Sequence, residues 1–248
     1  EVLPVVQNAD GDLPIYIGRT VEGRDVVADL AEIPHVLVAG ATGSGKSVFL
    51  HSIIRSVTSA TNEHRNRLIL ADPKRVEFTG YRALPNLACD VVDETLDIAQ
   101  VIELLVDEME ERYRILAEYG VRSIRELYAQ GKTEEMSFVV VIIDEVSDLL
   151  FSDIGKTIRE GIVRLAQKSR AVGIHLVLAT QRPSADIIDG LIKANFPGRI
   201  AFRTASAVDS RVILDSSGAE TLAGKGDGLF IAPQHGAPVR FQGAFIET

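Results

Sequence analysis

The chain has a single cysteine, Cys89, among its 248 residues, so no disulfide can form within it. This suits a reducing compartment, and we expect a buried, inert thiol on a short strand over residues 89–92. The five histidines are scattered and never paired with cysteines, which leaves no zinc-binding pattern. No apolar run approaches the roughly 18 residues that a membrane-spanning helix needs. We therefore expect a cytoplasmic domain that makes no membrane contact of its own.

An excess of basic residues is also missing, since the formal net charge is -9 at pH 7. This argues against a surface that is basic throughout and binds nucleic acid over a wide area. A local basic patch or the lumen of a ring is still allowed, because phosphate contacts need only a few Lys or Arg side chains. The chain starts with neither Met nor an apolar signal segment, so we expect a piece of a longer protein, which as a whole is compatible with a membrane tether.

The clearest motif present is Gly40-Ala-Thr-Gly-Ser-Gly-Lys-Ser47, which fits the P-loop pattern G-x-x-x-x-G-K-[ST]. An apolar run that predicts a strand precedes it, and apolar residues at helical spacing follow it. Glycines let the backbone wrap around phosphates, and a helix N-terminus adds partial positive charge. The alternative is a glycine-rich turn without a ligand. The predicted nucleotide-binding residues are Gly40, Ala41, Thr42, Gly43, Ser44, Gly45, Lys46, Ser47 and Val48.

Within this motif, Lys46 would reach the β- and γ-phosphates of ATP, and the Ser47 hydroxyl would ligate Mg²⁺. The most apolar run, Phe138–Ile143, predicts a central parallel strand buried on both faces. Asp144 and Glu145 follow it directly. At the end of such a strand, Asp144 would hold Mg²⁺ through its water shell, and Glu145 would polarise the attacking water.

Polar residues also follow two other predicted strands. Asp72 and Lys74 follow the strand over residues 67–71, and Gln181 follows the strand over 174–179. Ligands of open α/β sheets bind at the carboxyl ends of the strands. Asp72 and Lys74 are therefore candidate site residues, or alternatively a loop ion pair. Gln181 is placed to sense the γ-phosphate.

Strand and helix patterns alternate along the chain, with the P-loop and the Asp144-Glu145 pair on separate strands. This predicts an α/β fold, a doubly wound and mainly parallel sheet with helices on both faces. Alternating apolar residues over 227–231 and 238–245 predict an antiparallel hairpin at the sheet edge. We expect residues 1–30 to form a strand ribbon, the remnant of a smaller subdomain, and residues 31–248 to form one P-loop domain.

Several further blocks accompany these motifs. They are Asp72-Pro-Lys74, Glu108-Met-Glu-Glu-Arg-Tyr113, Ala166-Gln-Lys-Ser-Arg-Ala171, Gly173-Ile-His-Leu-Val-Leu-Ala-Thr-Gln-Arg-Pro183, Gly190-Leu-Ile-Lys-Ala-Asn195, Asp209-Ser-Arg211 and Gly224-Lys-Gly-Asp227. Together with the P-loop they strongly resemble the motor domain of the FtsK/SpoIIIE DNA translocases, over nearly the whole chain. One departure is Val146-Ser147, which stands where the family usually has Phe-Ala.

The resemblance implies a RecA-like ATPase that uses ATP and Mg²⁺ and assembles as a hexameric ring around double-stranded DNA. It implies catalytic roles for Glu145, for the sensor Gln181 and for Arg170, an arginine finger donated across the subunit interface. Alternatively, Arg170 caps a helix end. The DNA-facing residues that it implies are Arg182, Lys193 and Arg211, for which surface ion pairs are the alternative. Chromosome partition, conjugation and sporulation are all compatible processes.

The leading hypothesis is an ATP-driven translocase of double-stranded DNA. One alternative is a motor of the same superfamily that moves protein, as secretion ATPases do, and the acidic net charge mildly favours it. Another alternative is a P-loop small-molecule kinase, but the sequence lacks the arginine-rich lid segment expected of such an enzyme. A regulatory nucleotide-binding module without turnover is a third, and the intact Glu145 argues against it.

Overall fold

The computed structural model describes residue 6 and residues 9–59, 66–234 and 236–246. A nine-stranded sheet runs through these residues. Its strands are β1 (Pro14–Arg19), β2 (Asp25–Asp29), β3 (His35–Ala39), β4 (Asn66–Ala71), β5 (Phe138–Ile143), β6 (Ile174–Thr180), β7 (Gly198–Phe202), β8 (Asp227–Ile231) and β9 (Val239–Gln242). They lie in the order β2-β1-β9-β8-β7-β3-β6-β5-β4.

The parallel half of the sheet carries the core. Strands β7, β3, β6, β5 and β4 run parallel to one another. Every residue of β3, β5 and β6 is buried, which is the pattern expected when helices cover both faces of a sheet. The predicted α/β fold is therefore confirmed, with its five parallel strands forming one half of a mixed sheet, and its central strands are the apolar runs found in the sequence.

The helices of the described residues connect these strands. They are α1 (Lys46–Ser59), α2 (Thr95–Glu118), α3 (Ile124–Ala129), α4 (Val146–Leu150), α5 (Gly155–Lys168), α6 (Gly190–Asn195) and α7 (Ala207–Leu214). Helix α1 packs on β1 and β4, α7 packs on β7, and α2 packs on α5. Because the strands are parallel, their carboxyl ends meet at one edge, and the loops after β3, β4, β5 and β6 lie there together.

An antiparallel extension continues the sheet beyond β7. Strand β8 pairs antiparallel with β7, and β9 pairs antiparallel with β8. The hairpin of β1 and β2 joins β9 through Arg19 and Gln242 and forms the outer edge. The hairpin of β8 and β9 thus forms as predicted, but it does not lie at the edge of the sheet. The hairpin of β1 and β2 lies outside it, because β1 pairs with the free side of β9.

Two expectations for the segment around Cys89 are wrong. Residues 89–92 form no strand, since Val92 makes only an isolated bridge to Ala71. Cys89 is exposed rather than buried. The segment runs along the outer side of β4, where Asn86 and Ala88 hydrogen-bond to Leu68, and Leu87 and Val92 form isolated bridges.

Two histidines at the start of the central strands make stability depend on pH. Burial lowers the pKa of His35 from 6.5 to about 3 and that of His175 from 6.5 to about 4. The unfolded chain takes up a proton on each near pH 6.5, whereas the folded chain resists protonation until those lower values. Their contribution to stability is therefore complete above pH 6.5 and is lost as the pH falls below it. Between pH 7 and pH 5 we expect a loss of about 2 kcal/mol per histidine.

Urea unfolding of the wild-type chain and of His35→Asn at both pH values checks this. The ring nitrogen Nδ1 of His35 accepts a bond from Leu176 N at 3.1 Å, and the asparagine amide oxygen can replace that acceptor. Carboxylates titrate in both proteins and cancel in the comparison. The variant should lose about 2 kcal/mol less than wild type between the two pH values. An equal loss in both proteins would contradict the assignment to His35.

Candidate active site

The P-loop lies between β3 and α1 and is held by its neighbours. Gly40 N donates to Thr180 O, at the end of β6, over 3.2 Å. Gly45 has a φ of 111°, and a Cβ on it would lie 2.4 Å from Gly226 N. The loop over residues 224–226 therefore packs directly on the P-loop, and only glycine fits at position 45.

The helix that follows the P-loop adds positive potential to the turn. Helix α1 begins at Lys46 and has no acidic residue in its first turn, so no side chain there compensates the partial positive charge of its N-terminus. Thr42 and Gly43 are exposed on the outer side of the turn. The turn thus presents backbone N–H groups and a positive helix end to a cleft of about 470 Å³.

Lys46 and Asp144 form a buried ion pair between Lys46 Nζ and Asp144 Oδ1. Their side chains are 3% and 2% exposed. Burial raises the pKa of Asp144, and the charge of Lys46 offsets part of that rise. Asp144 N donates to Ala71 O at 2.9 Å, which fixes the turn after β5 against the end of β4. The P-loop and the carboxylates after β5 therefore belong to one site.

Ser47 contacts a residue that the sequence did not single out. Its hydroxyl donates to Glu77 Oε1 at 2.6 Å. Asp72, buried after β4, orients this loop by accepting from the backbone N–H groups of Glu77 at 2.8 Å and Phe78 at 3.0 Å. Asp72 thus shapes the loop that carries Glu77 to the site, and its own carboxylate does not contact the P-loop side chains.

Glu145 is a buried carboxylate held from both sides. Its backbone is left-handed, with φ and ψ both 56°, which turns the side chain back toward the end of β6. Thr180 Oγ1 donates to Glu145 Oε1 at 2.7 Å, and Gln181 N lies 3.2 Å from both carboxylate oxygens. Lys74 Nζ donates to Oε2 at 3.1 Å. Lys74, one of the two sequence candidates after β4, is thus a positioning residue for Glu145.

The electrostatics of Lys74 follow from these carboxylates. Burial by itself lowers the pKa of Lys74, but its hydrogen bond to Glu145 and the charges of Glu145 and Asp148 raise it above the ordinary value. Asp148 Oδ2 lies 3.4 Å from the ammonium group. Lys74 therefore stays charged and balances the buried Glu145.

Ser147, the residue that departs from the family pattern, extends this network. Its hydroxyl lies 2.6 Å from Thr180 Oγ1 and 3.3 Å from Arg182 O. Thr180 Oγ1 also accepts from Arg182 N at 3.0 Å. Because the single hydroxyl hydrogen of Thr180 goes to Glu145, Ser147 must act as the donor in this network. The segment from Thr180 to Arg182 is therefore fixed to Glu145 by buried hydrogen bonds.

Gln181 joins the end of β6 to the P-loop. Thr42 Oγ1 donates to Gln181 Oε1 at 2.9 Å. This contact brings Gln181 and the predicted nucleotide-binding residues into one cleft, and Gln181 and Thr42 both line it. The side chain lies where the sequence predicts a sensor, at the carboxyl end of a central strand.

Arg170 lies at the opposite edge of the sheet. It precedes β6, and its carbonyl accepts from Gly173 N at 3.2 Å. Its guanidinium lies 3.2 Å from Glu32 Oε2, in the segment just before β3. The 7 residues of β6 separate it from Gln181, which corresponds to about 20 Å of extended strand. The structure therefore does not bring Arg170 to the P-loop of its own chain.

The three basic residues predicted to contact DNA lie in different settings. Arg182 is exposed directly after Gln181. Lys193, on α6, is only 21% exposed, and its ammonium lies 2.5 Å from Asp215 Oδ1. Arg211, on α7, is exposed one turn before Asp215. Asp215 thus pairs with Lys193 and with Arg199, while Arg211 meets Asp215 only through its backbone carbonyl. Arg182 belongs instead to the network around Glu145.

The cleft has a second wall that sequence reasoning missed. Beyond the P-loop it is lined by the loop at 225–226, by Glu77 and by residues 242–245 after β9. In the sequence, Gly224-Lys-Gly-Asp227 is recognisable only as one of the blocks shared with the family. The alternating pattern of residues 238–245 predicts an edge strand and does not indicate that any of its residues lines a site. Pairing of β9 with β8 and β1 brings this segment beside the P-loop.

The residues present fit a bound triphosphate and its metal. Ser44 Oγ is buried and finds no hydrogen-bond partner among the described residues, inside a loop where two glycines at positive φ keep the backbone exposed. Lys46, Ser47 and Asp144 supply the positive charge, hydroxyl and carboxylate that a Mg²⁺-triphosphate needs. Within the described ranges no cluster of three or more His, Cys, Asp or Glu side chains forms a separate metal site. No helix there is long and apolar enough to cross a membrane.

A sheet whose central strands are parallel, with a P-loop after one strand and paired carboxylates after another, defines a P-loop ATPase domain. The sequence profile of the FtsK/SpoIIIE family matches residues 4–185. The chain belongs to this family, as its sequence motifs indicated.

Curated relatives match nearly the whole chain. It is 47% identical over 246 residues to the DNA translocase FtsK of Chlamydia trachomatis, covering 94% of this chain and 31% of that protein. It is 48% identical over 235 residues to the DNA translocase FtsK of Caldanaerobacter subterraneus subsp. tengcongensis, covering 95% and 33%. The chain thus spans about a third of the length of these relatives.

Solved structures share the fold. The conjugation coupling protein TcpA of pCW3, in its monomer form with ATPγS, is 31% identical with a TM-score of 0.85, covering 97% of this chain and 68% of that one. The cytoplasmic domain of the type VII secretion ATPase EccC of Thermomonospora curvata is 27% identical with a TM-score of 0.84, covering 97% and 30%. The same architecture therefore occurs in a protein named for conjugation and in one named for secretion.

Proposed function

We propose that this domain is the motor of a DNA translocase, which hydrolyses ATP at the interfaces of a ring and pumps double-stranded DNA through it. The observation that carries the proposal is the buried Lys46–Asp144 pair, which joins the P-loop, whose residues line the cleft, to the carboxylates after β5. The relatives at 47% and 48% identity are named DNA translocases, which supports DNA as the polymer moved.

The chemistry follows from the side chains around the cleft. A triphosphate would take the place of Asp144 as the partner of Lys46, which stabilises the charge on the β- and γ-phosphates. Glu145 would accept a proton from the water that attacks the γ-phosphorus, and the bond from that phosphorus to the β-phosphate oxygen would break. Thr180, Gln181 N and Lys74 hold the Glu145 carboxylate in one orientation for this role. Gln181 would hydrogen-bond the γ-phosphate from the end of β6.

Mg²⁺ fits at Ser47 and Asp144, where it would neutralise charge on the phosphates. The Ser47 oxygen would ligate the metal while its hydrogen can still be donated to Glu77, and Asp144 would exchange Lys46 for the metal. Opening the ion pair would leave Lys46 to the phosphates and Asp144 to the metal, so binding of metal and triphosphate together would give both buried charges a new partner.

Assembly would complete the site. Arg170 is too far from its own P-loop to act there, so we assign it to the active site of a neighbouring subunit, where its charge would stabilise the transition state. Arg182, Lys193 and Arg211 are assigned to the DNA backbone. Because Lys193 is paired with Asp215, it has to exchange that carboxylate for a phosphate. We further propose that residues 1–30 are the remnant of a smaller subdomain and that residues 31–248 form the ATPase domain.

A motor that moves protein is the second candidate. The similarity to EccC, at a TM-score of 0.84, favours it over a small-molecule kinase, and the net charge of -9 mildly favours it over a DNA motor. The DNA motor and the protein motor share the ATP chemistry and differ in the polymer that accelerates it. Duplex DNA would therefore stimulate hydrolysis by a DNA motor, and a peptide would stimulate hydrolysis by a protein motor.

The deciding experiment measures ATP hydrolysis by the purified chain with duplex DNA, with single-stranded DNA and with peptide, alongside its sedimentation. We expect duplex DNA to stimulate hydrolysis, and rising salt to weaken that stimulation as counterions compete for the phosphates. Displacement of a third strand from a DNA triplex would report movement along the duplex. Hydrolysis by an assembled ring that is indifferent to duplex would count against the DNA motor, and transfer of phosphate to a metabolite would indicate a kinase.

A further inference from the structure

The cleft does not stop at the phosphate end. From the P-loop it continues past Val48 and Phe49 to the segment that follows β9, residues 242–245. Lys46, Glu77 and Lys225 provide the charges near the phosphate end. The far end is lined by Gln242, Gly243, Ala244 and Phe245, which carry no charge. The lining of the cleft therefore combines charged side chains with an uncharged segment, as a ligand with an anionic end and a flat apolar end would require.

Backbone contacts fix the far wall to the P-loop. Gly226 N donates to Ser44 O at 2.8 Å, and Gly243 N donates to Gly226 O at 2.8 Å. Gln242 Nε2 also donates to Lys225 O at 2.8 Å. Two successive main-chain hydrogen bonds thus connect the phosphate loop to the segment after β9, and the distance between the two ends of the cleft is set by the fold.

One aromatic side chain of this segment, that of Phe245, lines the cleft. Ala244 and Ile246 pack against a small cluster made by Val6 and Tyr16, beside the N-terminal hairpin. Phe245 lies between these two residues in the chain and is not part of that cluster. It lines the cleft and is 82% exposed. The N-terminal hairpin therefore packs against the residues on either side of Phe245, an exposed phenylalanine that lines the P-loop cleft.

We propose that residues 242–245 form the nucleobase subsite of this domain and that the base of the nucleotide stacks on the ring of Phe245. This inference rests on the proposed ATPase function and adds the recognition of the base to it. An aromatic face suits any base, since every base offers a π-face, and the larger purines gain more from stacking. Phe245 thus contributes affinity for the base-bearing end, while Lys46 and the P-loop hold the phosphates.

The test compares two ligands that share the phosphates and differ in the base. Binding of β,γ-imido-ATP and of inorganic tripolyphosphate is measured for wild type and for Phe245→Ala by calorimetry. We expect the variant to bind β,γ-imido-ATP roughly tenfold more weakly and tripolyphosphate as well as wild type does. Phe245→Tyr keeps an aromatic face and should restore the affinity. Because Phe245 is 82% exposed, its truncation removes little core packing.

A matched control is Val208→Ala, which truncates another exposed apolar side chain, 65% exposed, on α7 away from the cleft. Equal affinity of wild type and Phe245→Ala for β,γ-imido-ATP would overturn the inference and leave the ATPase function intact. An equal loss for both ligands would also overturn it, since it would show damage to the phosphate end. If wild type bound neither ligand, the proposed function itself would fail, together with the inference that rests on it.

Discussion

Glu145→Gln is expected to bind ATP as wild type does and to hydrolyse it about 100- to 10,000-fold more slowly. The amide has the size of the carboxylate but cannot take a proton from the attacking water. Its oxygen can still accept from Thr180 and Gln181 N, which hold Glu145 at 2.7 and 3.2 Å, so the local structure should persist. Single-turnover hydrolysis and direct binding of labelled ATP measure the two steps separately. With hydrolysis blocked, ATP should also keep the assembled ring together.

The substitution also removes the ion pair of Glu145 with Lys74, so a control has to separate the two effects. Asp148→Asn removes the other carboxylate near Lys74, at 3.4 Å, and leaves Glu145 in place. Asp148 is 49% exposed, so little stability should be lost. This variant should hydrolyse ATP within a few-fold of wild type. A normal rate in Glu145→Gln would show that another group accepts the proton.

Arg170→Ala should retain ATP binding and lose about 1,000- to 100,000-fold in hydrolysis by the assembled protein. The reason is the position of Arg170 at the amino edge of the sheet, away from the P-loop of its own chain. Its partner Glu32 is 55% exposed and Arg170 itself 58%, so their ion pair contributes little and can open when a neighbouring subunit docks. The measurement is hydrolysis at concentrations where sedimentation shows assembly.

Mixing subunits tests whether Arg170 acts in trans. Arg170→Ala subunits carry an intact P-loop, and Lys46→Ala subunits carry an intact Arg170. A mixed ring contains interfaces that combine both, so hydrolysis should recover in part. Lys168→Ala, which removes an exposed cation at the end of α5, two residues before Arg170, should behave like wild type. A mixture no more active than its separate components would exclude a role for Arg170 across the interface.

Much of the site could be located from the sequence because its residues follow strands. Gly40 to Ser47 and the Asp144-Glu145 pair each come directly after an apolar run, and parallel strands bring their carboxyl ends to one edge. Gln181 and Lys74 could be placed there for the same reason. The role of Lys74 could not be predicted, because the sequence does not distinguish a loop ion pair from a contact with Glu145. The distance of 3.1 Å between Lys74 Nζ and Glu145 Oε2 decides between the two.

Other contributions were invisible because no local pattern records them. Glu77 meets Ser47 only because Asp72 folds the loop between them, and Phe245 reaches the cleft only because β9 pairs with β8 and β1. The wrong expectation for Cys89 has a related cause. A short apolar stretch does not specify whether the chain joins the sheet or passes over its surface.

The sequence alone determined the kind of domain, since hydrophobic periodicity and the P-loop are local properties that survive without knowledge of the fold. It also determined which strand ends carry the phosphate-binding and acidic groups. Only the tertiary structure decided that Arg170 lies at the far edge from its own P-loop and that Phe245 lies beside it. Both positions depend on strand pairings between segments that are distant in the chain. Those pairings are selected by the burial of side chains in the folded sheet, and the identity of neighbouring residues in the sequence does not specify them.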